Sequence, residues 1–214
     1  MSALFHDRSD AGRQLAAVLD RGQLGDAVVV GLARGGVPVA AEVAQQLSLP
    51  LDVLAVRKVG HPWQPEYAIG AVAPGGDGVY IRSHDGLGEE ELRHMIGQAK
   101  AKADALDEVL HERHRPLGLA GKTAVLVDDG LATGATMVAA VRWARSRGAA
   151  RVVVAVPVGA AQSVRFLRHE ADEVVCPHEQ EDFWAVGFWY DLFAQVENEQ
   201  VVALLDELRA TAPA

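Results

Sequence analysis

The chain has 214 residues, 29 acidic and 20 basic, and a formal net charge of −9. Half of its residues are hydrophobic, which argues against a disordered chain and supplies a core for one α/β domain. The acidic balance argues against a general nucleic-acid or membrane-surface binder, which needs a basic field, but leaves room for a small anion met by a local basic loop.

In order, the chain predicts a helix over 10–21, a β-branched run over 27–31, a helix over 37–47 and a run over 51–56. A stretch rich in proline and glycine follows at 59–82, with a hairpin expected around Gly75-Gly76-Asp77. Its length and irregularity suggest a functional loop or an arm on the core. A long helix is expected over 89–114, then a connector at 116–122, a run at 123–127 and a helix over 135–147. A run at 151–156, a helix over 160–169 and a short run at 173–175 complete the alternation. The segment 183–193 then holds six aromatics in eleven residues. Buried runs alternating with helices imply a parallel sheet covered on both faces. Ligands of such sheets bind beyond the carboxyl ends of the strands.

Compartment follows from what the composition offers. The single cysteine, Cys176, can form neither an internal disulfide nor a cysteine-rich zinc site, and fits a reducing, cytoplasmic setting. No apolar segment follows Met1, so no signal peptide is expected. The longest apolar stretch, 152–161, is broken by Pro157 and falls far short of the roughly 20 residues of a membrane span.

The most informative stretch runs from Val125 to Met137. A buried run ends in two carboxylates, Asp128 and Asp129, and continues through Gly130, Leu131, Ala132, Thr133, Gly134, Ala135 and Thr136 into a helix. The free N–H groups of a helix start suit a phosphate. Gly130 and Gly134 let the backbone come close, and the hydroxyls of Thr133 and Thr136 can donate as well. The carboxylates would repel a phosphate but accept hydrogen bonds from neutral hydroxyls. A sugar diol beside a phosphate fits that polarity. Two adjacent acids followed by Thr-Gly-x-Thr exceed what capping an ordinary strand-to-helix turn requires.

Two other loops read in the same way. After the first run, Ala33, Arg34, Gly35 and Gly36 set glycines and a cation between strand and helix, which suits a pyrophosphate. The spacing matches neither G-x-G-x-x-G nor a Walker loop. After the second run, Arg57 and Lys58 place two cations at the end of a buried strand, where an anion would offset their cost.

The stretch from Asp128 to Thr136 resembles the phosphoribosyl-pyrophosphate (PRPP) motif of type I phosphoribosyltransferases. That resemblance implies an α/β fold with a parallel sheet flanked by helices, a small hood and a loop or hairpin arm. It implies that Asp128 and Asp129 face the ribose 2′ and 3′ hydroxyls and that the loop Ala132 to Thr136 holds the 5′-phosphate. Ala33-Arg34-Gly35-Gly36 is similar to the family's pyrophosphate loop, which often holds a non-proline cis peptide. Val56-Arg57-Lys58-Val59-Gly60 is similar to the Arg-Lys-x-Gly segment of adenine phosphoribosyltransferases, so that 61–73 would be the mobile loop closing over PRPP. Glu66 in it would be a general acid or base, or a plain surface carboxylate. The aromatic segment resembles the hood of hypoxanthine-guanine phosphoribosyltransferases. Trp184 would stack on the base, Val186-Gly187 would follow, and Asp191 would lie near base and metal; the same segment also reads as a hydrophobic staple or a dimer interface. The start Phe5-His6-Asp7-Arg8-Ser9-Asp10-Ala11-Gly12 is similar to that of one branch of the family.

The expectation is therefore a single domain over 1–214, with a core over about 27–175 and a hood over about 176–195 plus the N-terminal helix. The implied activity is transfer of phosphoribose from PRPP to a nitrogen nucleophile, a nucleobase, with Mg²⁺ as cofactor. The implied site has Asp128, Asp129, Arg57, Lys58 and Glu66 as catalytic groups and Asp128, Asp129 and Asp191 near the metal. Mg²⁺ would be held largely by substrate oxygens and water. The alternative is a PRPP- or nucleotide-sensing regulator on the same fold, and a homodimer is compatible with either. Two departures count against a 6-oxopurine acceptor: Ala132 stands where hood-type purine enzymes carry a carboxylate, and Pro157-Val158-Gly159 where they carry a lysine. Gly121-Lys122-Thr123 precedes a strand and is no P-loop. His111 and His114 are three apart, not the four of a zincin, and read as a solvated helix face. Cys176 reads as a buried, inert thiol.

Overall fold

The computed structural model describes residues 3–61, 63–76, 78–82 and 86–211, without the side chains of 64–67 and 211. Two short helices, α1 (Arg8–Val18) and α2 (Arg21–Leu24), replace the single expected one. Asp7 caps the first through the Asp10 N–H, and Asp20 caps the second through the Gly22 N–H, so two capping acids split the segment.

The core then alternates as expected. Strand β1 (Ala27–Leu32) leads to α3 (Gly36–Leu47) and to β2 (Leu51–Leu54). An arm of β3 (Arg57–His61), β4 (Gln64–Val72) and β5 (Tyr80–Ile81) precedes the long helix α4 (Glu89–Leu110). Next come β6 (Thr123–Val127), α5 (Ala135–Ser146), β7 (Arg151–Ala155), β8 (Val158–Ala160) and α6 (Ala161–Leu167). The chain closes with β9 (Glu173–Val175), β10 (His178–Gln180) and α7 (Asn198–Thr211). Among the described residues, no helix is long and apolar enough to cross a membrane.

The central sheet has the order β2-β1-β6-β7-β9, all parallel. Apart from the half-buried edge strand β9, its strands are buried on both faces. Val29, Val53, Val125 and Val153 pack with α3 and α7 on one side, and Val28, Val30, Leu126 and Val154 pack with α5 on the other. Sheet growth reverses between β1 and β6, because β1 leads outward to β2 while β6 leads the opposite way to β7 and β9. Such a switch point leaves a crevice at the carboxyl ends of the two strands.

The arm differs from the expected loop. β3, β4 and β5 form an antiparallel sheet. Ile69, Ala71 and Val72 are fully buried, and Val59, Ile69 and Val72 pack with Leu92 and Ala99 of α4. The expected closing loop 61–73 is thus largely a strand with a buried face, as an extended segment needs a partner for its apolar side. Asp77 at the expected hairpin tip lies outside the described residues, as does the side chain of Glu66.

The hood joins both ends of the chain. Leu4 and Phe5 donate backbone N–H groups to the Trp189 carbonyl, and the Asp191 N–H donates back to the Phe5 carbonyl. Phe5, Trp189 and Tyr190 bury their rings against Val158. Burial of such a ring contributes on the order of 1.5–3 kcal/mol, which ties the N-terminal segment to the far end of the chain.

Candidate active site

Three loops converge at the switch point. After β1, the Ala33–Arg34 peptide is cis, as the family resemblance implies, and Gly35 and Gly36 carry the chain into α3. After β6, Asp128 and Asp129 stand on the facing side. The arm begins there with Arg57. An open cavity of about 360 Å³ is lined by Arg34, Gly35, Arg57, Asp128 and Asp129 together with Arg8 and Phe193.

The two loops touch so closely that glycine is required. A Cβ on Gly36 would come within 2.7 Å of the Val127 carbonyl and 2.8 Å of the Asp128 Cα. One on Gly35 would come within 2.2 Å of Asp129 Oδ2. The backbone N–H of Asp129 donates to Asp128 Oδ1 at 2.9 Å.

Burial, with the Asp129 charge beside it, pushes the Asp128 carboxyl well above the usual carboxylate range. Burial also raises Asp129, against the opposing pull of Arg8. On the cation side, burial and the neighbouring Arg34 lower the Arg57 guanidinium from its usual value. Like charges thus crowd each wall, two acids on one and two guanidiniums on the other. That arrangement suits a ligand with hydroxyls at one end and negative charge at the other.

The phosphate loop is open to a ligand. Gly134 takes the left-handed conformation at φ 77° as the N-cap of α5, with no side chain capping the helix. Ala132 and Thr133 are exposed. Leu131 pairs with Gly159 of β8, and Ser163 Oγ donates to the Ala132 carbonyl at 2.6 Å. The loop is therefore braced from behind, and no side chain caps the first N–H groups of α5.

Other expected residues stand elsewhere. Lys58 is exposed at the rim, close enough for its charge to be felt by Asp128. Val186 packs on the Cα of Gly130, where a Cβ would lie 2.6 Å from Val186 Cγ1. Trp184 is 83% exposed and stands outside the lining of this cavity. Asp191 does not line the cavity. Its exposed carboxylate faces His6 Nδ1 at 3.8 Å, so the expected trio of Asp128, Asp129 and Asp191 is not assembled. The reason is local: Asp191 follows Tyr190, whose ring turns inward, and neighbours in an extended segment point to opposite sides.

Mg²⁺ takes oxygen ligands and keeps several waters. The donor chemistry of Asp128 and Asp129 fits such a cation when a phosphate ligand supplies further oxygens. Among the described residues, no group of three His, Cys, Asp or Glu side chains could hold a metal by itself.

Arg8, Tyr190 and Phe193 complete the site, although the loop motifs do not single them out. Arg8 Nε donates to Asp129 Oδ2 at 2.8 Å, and the Tyr190 hydroxyl donates to the Asp129 carbonyl at 2.5 Å. The one signal for Arg8 in the sequence is its place in the Phe5-to-Gly12 start. Glu197 also reaches the site, pairing with Arg34 at 3.1 Å.

Two residues away from the site have different outcomes. His111 is no solvated surface group: its side chain is buried and meets Asp52 at 3.1 Å. The Cys176 thiol donates to the His178 carbonyl at 3.6 Å, and burial pushes it up to about 12, in keeping with an inert thiol.

Comparison with known proteins places this geometry. A model of the phosphoribosyl transferase domain matches residues 4–191. Relatives in the CDC 1551 and H37Rv strains of Mycobacterium tuberculosis, named as candidate phosphoribosyl transferases, are 47% identical over 208 residues. That match covers 95% of this chain and 46% of each relative, so the chain spans about half the length of the curated relatives it matches. The crystal structure of TT1426 from Thermus thermophilus is 40% identical with a TM-score of 0.81, covering 95% of this chain and 98% of that one. With the family model spanning most of the chain, and a five-stranded parallel sheet flanked by helices carrying the loops, the chain belongs to the phosphoribosyl transferase family of type I fold.

Proposed function

We propose that the chain transfers the 5-phosphoribosyl group of PRPP to a nitrogen nucleophile, a nucleobase, and releases pyrophosphate. The observation that supports this reading is the meeting of Asp128-Asp129, the Arg34-Gly35 loop and Arg57 around one cavity at the switch point. Each group then has a part. The N–H groups at the start of α5, with Thr133 and Thr136, take the 5′-phosphate. Asp128 and Asp129 accept from the ribose hydroxyls and hold C1′ in place. Arg34 and Arg57, with Lys58 at the rim, meet the charge that grows on the departing pyrophosphate.

The bond between C1′ and the pyrophosphate oxygen breaks as the acceptor nitrogen forms its bond to C1′, and the N–H proton of that nitrogen leaves to the departing pyrophosphate or to water. The transition state has oxocarbenium character, so positioning and charge stabilisation supply most of the catalysis. When bound, Mg²⁺ would neutralise part of the pyrophosphate charge, facing Asp128 and Asp129. The acceptor would enter beside Phe193 and Val186, on the hood side of the carboxylates.

The test is pyrophosphate release from PRPP with Mg²⁺ against a panel of nucleobases, with wild type and Asp129→Asn. Turnover is expected with at least one base, strongly reduced in Asp129→Asn while the variant stays folded. Unchanged turnover in Asp129→Asn would overturn the assignment. PRPP binding without turnover of any base would assign a sensing role instead.

A further inference from the structure

Arg8 opens α1 at the positive end of that helix, where a cation is disfavoured. Its guanidinium is nonetheless nearly buried, with 12% of the side chain exposed, against 13% for Asp129. It is held from several directions. Nε donates to Asp129 Oδ2 at 2.8 Å, and Nη1 donates to the Ala194 carbonyl at 2.7 Å. The guanidinium carbon lies 3.8 Å from the centre of the Phe193 ring. Nη2 lies on the Gly35 side, 3.4 Å from where a Gly35 Cβ would stand. Asp129 is held at its other end by the Tyr190 hydroxyl on its carbonyl. Arg8 and Tyr190 both belong to the hood, in segments joined by the bridge from Phe5 to Tyr190.

We infer that the hood acts on the reaction through Asp129, with Arg8 and Tyr190 as positioning residues that fix this carboxylate for the ribose diol. The inference rests on the PRPP reading above. An ionised carboxylate offers about four lone-pair sites. Arg8 Nε uses one of them on Oδ2, which fixes the side chain and leaves the second oxygen for a ribose hydroxyl. A two-point hold, on side chain and backbone, defines the direction of the remaining lone pairs more closely than an exposed ion pair does. The missing Cβ at Gly35 lets Arg8 and Asp129 meet against the facing loop. The hood's described contribution is thus a clamp on an acid; its exposed Trp184 takes no part.

The test is calorimetric titration with three probes: PRPP with Mg²⁺, ribose 5-phosphate, and inorganic pyrophosphate. The proteins are wild type, Arg8→Gln, Arg8→Lys, Tyr190→Phe, Asp129→Asn and the Arg8→Gln/Asp129→Asn double variant. Loss of a hydrogen bond to a charged group corresponds to roughly tenfold or more in affinity. Arg8→Gln should lose that much for the two sugar phosphates and weaken pyrophosphate severalfold less, since for pyrophosphate only one of the cations lining the cavity is lost. Arg8→Lys should recover part of the loss. In the Asp129→Asn background Arg8→Gln should add nothing. A merely structural role would weaken all three probes alike. Equal weakening of pyrophosphate, unchanged sugar-phosphate affinity, or additive losses would each overturn the proposal. If Arg8→Gln does not fold, Tyr190→Phe keeps the ring and carries the same comparison. Failure of the wild type to bind either sugar phosphate would overturn the PRPP reading itself, and the proposal with it.

Discussion

Replacing Gly35 by alanine adds one methyl group where the two loops meet. The new Cβ would stand 2.2 Å from Asp129 Oδ2, 3.0 Å from its Cγ and 3.4 Å from Arg8 Nη2. A carbon–oxygen contact needs about 3.3 Å, so the carboxylate must retreat by roughly 1 Å. Gly35 sits at φ −61° and ψ −34°, a conformation alanine adopts freely, so the effect is steric and local. Asp129 cannot retreat cheaply, because Arg8 holds its side chain and Tyr190 its carbonyl. Misplacing a substrate-orienting group by about 1 Å costs on the order of 10²-fold in rate. Overpacking adds about 1–3 kcal/mol of destabilisation, which for a domain of this size lowers Tm by roughly 2–12 °C. Pyrophosphate release and thermal unfolding measure the two effects. Gly118→Ala is the control, since among the described residues nothing lies within 4 Å of its Cβ position. A Gly35→Ala protein with wild-type kcat/KM and Tm would refute the reasoning.

Other predictions concern the opposite end of the sheet and the long helix. Asp52 is 2% exposed and accepts from His111 at 3.1 Å, Arg209 at 2.5 Å and the Leu117 N–H at 2.6 Å. Asp52→Ala should therefore cost about 3–5 kcal/mol in urea unfolding by leaving buried cations unpaired; an unchanged midpoint would contradict this. Burial alone would lower the His111 pKa, but hydrogen bonds and charge from Asp107 and Asp52 outweigh it and hold it at about 10. That folded value lies above the ordinary 6.5, so its stabilisation is full below about pH 6.5 and is lost as pH rises through about 10. Tm should fall across that window, and His111→Gln should flatten the fall; parallel slopes would contradict the assignment. Gly97 lies within α4, and among the described residues nothing lies within 4 Å of its Cβ position, so Gly97→Ala should stabilise the chain by about 0.5–1 kcal/mol, visible as a raised Tm.

The core and its loops were legible because their signals are local. Five β-branched runs mark the five strands of the central sheet within a residue or two, and the Asp-Asp-to-Thr loop carries its chemistry in consecutive positions. The arm was not legible. Pro65 and Gly70 mask the strand character of β4, and its pairing depends on α4 lying over Ile69 and Val72. Helix α7 leaves little signal in the sequence, because its weakly patterned segment is anchored from afar, by Arg209 on Asp52 and on the Leu51 carbonyl. Arg8 was legible only as part of a shared start, since its partner lies 121 residues away. His111 is opaque for the same reason: a histidine followed by Glu112 and Arg113 looks solvated until the fold brings Asp52 beneath it.

The most direct test of PRPP recognition is calorimetric titration of PRPP into the protein with and without Mg²⁺, run on wild type and on Asp129→Asn. Saturable, Mg²⁺-dependent binding at one site per chain, weakened in the variant, is the expected result. Absence of PRPP binding under both conditions, or equal binding by Asp129→Asn, would contradict it.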